Sequence, residues 1–107
     1  MGKYKCSGIC LKVHEKDGHR VLAACDEELL GQVFFQRASE LSLFVNPDFY
    51  GKKADLETFA KELELCDIAN LVGKEVVGHA IKAKLASKKQ VKMVAKVPHI
   101  QIMRLAV

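Results

Sequence analysis

The feature that most constrains the fold is a pair of alternating runs joined by Lys16-Asp17-Gly18. Residues 5–14 alternate, with Ile9, Leu11 and Val13 on one face and Cys10, Lys12 and His14 on the other, the two-residue period of a half-buried strand. Asp-Gly between two such runs selects a tight hairpin, because Gly18 takes positive φ without a Cβ penalty, and Arg20 to Cys25 returns as the partner strand. A lone hairpin is marginal in water, so the rest of the chain must supply further strands and a cover for at least one face.

The material for that cover is present. The chain has 107 residues, 50% of them apolar, which suits one packed core and a single domain over 1–107. No apolar run approaches the ~18 residues needed to cross a bilayer as a helix. Lys12 interrupts the first apolar stretch, against a secretory leader, and Cys6 stands where a myristoylation signal at Gly2 wants Ser or Thr. The expectation is a cytoplasmic protein in which Cys6, Cys10, Cys25 and Cys66 are reduced. Cys6 and Cys10 have the spacing of a zinc knuckle, but on a strand they would lie ~13 Å apart, too far to share an ion bound at ~2.3 Å. No metal site is expected, and no cofactor motif occurs.

Beyond the hairpin, Asp26-Glu27-Glu28 ahead of Leu29-Leu30-Gly31 reads as a single helical turn with acids at its positive end. Gln32–Gln36 and Glu40–Val45 read as strands, and Asn46-Pro47-Asp48 as a break followed by a turn whose Phe49 and Tyr50 close the edge of the core. At Asp55 the period changes. Leu56, Phe59, Ala60 and Leu63 recur at helical spacing behind an Asp55 N-cap, ending near Cys66, and Val77, Ala80, Ile81 and Leu85 predict a second helix over Lys74–Ala86. Asp67–Gly73 fits strand, turn or helix. Val91–Ala95 and Ile100–Leu105 close the chain as strands parted by Pro98. Strands, then helices, then strands predict an α+β domain: a mostly antiparallel or mixed sheet with two main helices packed on one face.

Charge is distributed unevenly around a net of +4. Residues 55–67 hold five acids against Lys61, a net of −4, whereas residues 74–107 hold seven lysines and Arg104 against Glu75, a net of +7. Lys82, Lys84, Lys88, Lys89, Lys92, Lys96 and Arg104 are therefore candidates for contact with nucleic-acid phosphate. The alternative is a solvated face, favoured by the absence of Phe, Tyr and Trp from residues 74–107 and by the preponderance of lysine over arginine.

No phosphate loop, dinucleotide fingerprint, nucleophile elbow or zinc-protease motif is present. Cys25, at a strand end, could act as a nucleophile with His99 as base, but its acidic neighbours disfavour the thiolate, leaving a small core residue as the simpler reading. His99 likewise reads more simply as a hydrogen-bonded structural group. Asn70 and Gly73 precede a predicted helix, where they could present amides to an anion or merely cap that helix.

Four stretches in order, Cys25-Asp-Glu-Glu-Leu-Leu-Gly31, Phe49-Tyr-Gly51, Ala69-Asn-Leu-Val-Gly73 and Pro98-His99 before Gln101, make the chain resemble an archaeal family of uncharacterised conserved proteins, domain of unknown function 424, over residues 4–105. The resemblance implies a small cytoplasmic protein and carries no catalytic role. Cys6 and Cys10 lie outside its pattern. Three hypotheses follow: a non-catalytic module binding RNA or a ribonucleoprotein partner through the basic residues; an enzyme or small-ligand binder whose pocket gathers Cys25, Asp26, Asn70, Gly73 and His99; and a homodimer or scaffold joined through an exposed strand edge.

Overall fold

The computed structural model describes residues 8–104. Strands β1 (Ile9–Lys16) and β2 (His19–Asp26) pair antiparallel from Lys16 opposite His19 to Ile9 opposite Asp26. Asp17 and Gly18 both have positive φ, 53° and 79°, the turn geometry that matches strand twist. Residues 5–7 of the expected first strand lie outside the described residues.

The hairpin is extended on both sides into a six-stranded mixed sheet of order β5-β1-β2-β6-β8-β7. Strand β5 (Lys52–Ala54) is antiparallel to β1, and β6 (Ile68–Val72) runs parallel to β2. Strand β8 (Val97–Met103) is antiparallel to β6 and carries β7 (Lys92–Val94) at the edge. Strands β3 (Val33–Gln36) and β4 (Leu41–Phe44) form a separate two-stranded ribbon.

Two layers cover the sheet. Helices α2 (Leu56–Leu65) and α3 (Lys74–Lys82) lie on one face, where Phe59, Leu63, Val76 and Ala80 meet Leu22, Ala24, Leu71 and Ile100. The ribbon and the short helix α1 (Pro47–Tyr50) cover part of the other, packing Phe34, Leu43, Val45 and Tyr50 over Cys10, Ala23, Cys25 and Val72. Phe49 stacks on His14, with ring centroids 4.8 Å apart, so the Phe49-Tyr50 pair closes the edge of this layer. The α+β class and the placing of two main helices on one face match the expectation.

One segment left open is assigned, and two details depart from the expectation. Asp67–Gly73 resolves as β6, a strand between two others whose near-continuous apolar run carries no alternation to read. The second helix stops at Lys82 rather than Ala86 because Lys84 turns left-handed, at φ 64°. The N–H of Leu85 then bonds Ala80 and that of Lys84 bonds Ile81, while Leu85 packs on the core. This is the terminating motif that glycine usually serves, here built on lysine. Finally, Pro98 lies inside β8. Its carbonyl accepts from the Gly73 N–H, while the Gly73 carbonyl accepts from Val77, so the sheet asks no donor of the proline.

Candidate functional site

The carboxyl ends of β2 and β6 lie side by side, with Cys25 paired to Val72. Asp26 closes β2 at 3% exposure, the sole buried charged or polar residue among those described. Its carboxylate accepts from the N–H groups of Glu75 at 3.0 Å and Val76 at 3.1 Å, satisfying two otherwise unpaired donors in the first turn of α3. Gly73, at φ 119°, is required beside it, because a Cβ there would run into the Asp26 carboxylate. Burial pushes the Asp26 carboxyl above its ordinary range, and the two backbone N–H groups offset part of that rise. The negative charge at the start of α3 is thus the protein's own, and Asp26, rather than Asn70, supplies the cap.

Cys25 sits directly opposite Cys10 at 0% exposure under the ribbon layer. Burial, reinforced by Cys10 and Asp26, pushes its thiol up to about 12. Buried and protonated, this thiol is a packing group rather than a nucleophile. Cys66 lies in the helix-covered layer, its Sγ 3.3 Å from the Leu63 carbonyl it donates to. Cys10 and Cys25 are on the opposite side of the sheet from it and could not share an ion with it. Cys6 lies outside the described residues.

His99 opposes Val72, and Asn70 opposes Gln101, so Asn70 and His99 are diagonal neighbours on the sheet face that the ribbon partly covers. His99 is half-buried, and burial together with nearby Lys92 holds its imidazole below the ordinary histidine range. It lines a groove of about 460 Å³ with Lys89, Gln90, Val91, Lys92 and Gln101, and Asn70 is not part of that lining. Asp26 and Gly73 line a separate depression of about 220 Å³ with Glu28, Lys74, Lys96 and Pro98. The five residues expected to form one pocket therefore lie on three neighbouring strands and the loop after β6 but share no pocket: Asp26 and Gly73 line one depression, His99 lines another, Cys25 is a buried thiol, and Asn70, in the middle of β6, lines neither depression.

The basic residues separate into two groups. Lys82 and Lys84 end α3, Lys88 and Lys89 occupy a helical turn closed by the reciprocal Ser87–Gln90 cap, Lys92 is on β7, and Lys96 is in the β7–β8 turn. All six are exposed, and none is in a salt bridge among the described residues. Two of the acids near α2 are engaged elsewhere: Glu62 pairs with Arg20 at 2.8 Å, and Asp67 accepts from the Arg20 backbone N–H at 2.8 Å. Arg104 stands apart, about 17 Å along β8 from the residue facing Lys92. Its Nη2 donates to the carbonyls of Leu63, Glu64 and Cys66, closing the C-terminal end of α2.

The sequence reading passed over Phe35 and Phe44. They lie on the outward face of the ribbon, 57% and 51% exposed, with Phe44 opposite Val33 and Phe35 opposite Ser42. The other face of the ribbon meets the end of β7, where Gln36 Oε1 accepts from the Ala95 N–H at 3.0 Å in the turn after that strand, so Phe35 and Phe44 face away from this contact.

The fold and site define a small α+β protein whose strand-end carboxylate is structural and whose six exposed lysines from α3 to the β7–β8 turn are in no salt bridge among the described residues. The profile of the family described as Protein of unknown function (DUF424) matches residues 14–105, and the chain belongs to that family, as the four ordered stretches implied. Among solved structures it is similar to the "Crystal structure of an uncharacterized conserved protein from Methanopyrus kandleri", with TM-score 0.70 and 25% identity over 94% of this chain and 96% of that one. No curated protein matches it. No helix among the described residues is long and apolar enough to cross a membrane.

Proposed function

We propose that the protein is a cytoplasmic, non-catalytic module that binds RNA, free or within a ribonucleoprotein, through the phosphate backbone. The observation that carries this reading is the set of six lysines from the end of α3 to the β7–β8 turn, Lys82, Lys84, Lys88, Lys89, Lys92 and Lys96, all exposed and none in a salt bridge among the described residues. Lysines in such an array release counterions from a phosphate chain and supply sequence-independent affinity. The enzyme alternative is less well supported, because Cys25 is sealed in the core and Asp26 is committed to α3. Arg104 is left out of the surface, since its guanidinium serves α2.

Binding of a labelled RNA, measured between 50 and 200 mM salt as an experimental range, tests the reading. Affinity should fall linearly on logarithmic axes, and replacing Lys88, Lys89 and Lys92 by Gln should flatten the slope by roughly 0.7 to 0.9 per lysine that meets a phosphate. Absence of binding at the lowest salt would overturn it.

A further inference from the structure

Resting on that reading, we infer that the groove lined by β7 and β8 takes one unpaired nucleotide of the RNA, its phosphate held by Lys89 and Lys92 and its base edge met by His99 and Gln101. Strand register builds this site. Lys92 lies directly opposite His99, and Gln101 is two residues further along β8, so the three side chains share one face of the sheet. Lys89 and Gln90, in the helical turn before β7, complete the lining with Val91, and the groove of about 460 Å³ is within the size range of small-ligand sites.

The lining is chemically two-sided. Both cations come from β7 and the turn before it, whereas β8 contributes an imidazole and a carboxamide, and no carboxylate is among the lining residues. Such a surface repels a cation and suits an anion joined to a neutral polar group. Burial and the nearby Lys92 hold the His99 imidazole below its ordinary range, so near pH 7 it offers one donor and one acceptor rather than a third positive charge. Gln101 offers the same two functions on its amide. Neither side chain hydrogen-bonds a protein group among the described residues, so both are free to meet the donors and acceptors of a base edge. A base can enter a groove only where the strand is unpaired and the base splayed out. Lys88 precedes these residues and Lys96 follows β7, so positive charge continues along the chain on both sides of Lys89 and Lys92, which suits an occupant that belongs to a phosphate chain.

The test measures binding of labelled hexa-adenylate, hexa-cytidylate and hexa-uridylate to the full chain by fluorescence anisotropy. The wild type should prefer one of the three by about tenfold, and Gln101→Ala and His99→Ala should each bring the three affinities within about twofold of one another, with the salt slope unchanged. Replacing Lys89 and Lys92 together by Gln should weaken all three alike and flatten the slope. Gln101 is exposed, so its truncation leaves the fold intact and the outcome does not depend on how the His99 variant folds. Equal affinity of the wild type for the three strands, or a preference that survives both alanine variants, would overturn base recognition in the groove and leave phosphate binding standing. Failure of the wild type to bind any of them at the lowest salt removes both. Displacement of the preferred strand by an equal concentration of hexaglutamate would assign the groove to an acidic peptide instead.

Discussion

The Asp26–Gly73 contact couples two residues far apart in the chain, and the coupling is measurable. Asp26→Ala leaves two donors of α3 unpaired at a buried site and should lower stability by about 2 kcal/mol. Gly73→Ala forces a Cβ into the carboxylate and strains a positive φ, costing about 2–3 kcal/mol. In the double variant the obstructing carboxylate is gone, so urea unfolding should show less than the sum of the two losses; strict additivity would refute the contact. His99 has a different signature. Its imidazole titrates below the unfolded value of about 6.5, so the unfolded chain takes up the proton first. Stability should therefore decline as pH falls from about 6.5 towards the folded pKa, and level off below it. His99→Gln should remove that component of the acid loss, as compared by denaturation at pH 7.5 and pH 5. At this scale Asp26 and Gly73 were both singled out by residue type, but which groups Asp26 would bond was invisible in the sequence, because its partners, the Glu75 and Val76 N–H groups, belong to the first turn of a helix far along the chain.

Among the elements, the β1–β2 hairpin and both main helices were legible because their signals are local: a two-residue period, an Asp-Gly turn, and a helical stripe behind the Asp55 cap, whose side chain does accept from Thr58 at 2.7 Å. The end of α3 was not legible, since a lysine occupies the position where glycine would have signalled the stop. Lys84→Gly should consequently raise stability by roughly 0.5–1 kcal/mol in thermal unfolding, by relieving a left-handed residue that bears a Cβ. No gain, or a loss, would show that the turn carries no such strain. Pro98 was misjudged as a separator because its unused side coincides with the point where β6 turns into α3. Arg104 was counted with the lysines on charge alone, yet it belongs to an element junction. Arg104→Ala should cost about 1–2 kcal/mol of stability by freeing the last carbonyls of α2, with no change in RNA affinity or its salt dependence. A drop in RNA affinity would return Arg104 to the binding surface.

For the molecule as a whole, its class, the two helices on one face, the clustering of charge and the family were present in the order of residues. Each is the sum of short-range patterns, and burial and helix geometry act on those patterns directly. Tertiary structure alone decided that Asp26 would close α3, that β6 would run parallel to β2 in the middle of the sheet, and that the β3–β4 ribbon would pack over Cys25 and Val72. These are contacts between segments distant along the chain. Their partners are selected by how the packed layers bring strand ends and edges together, and no local period encodes that choice.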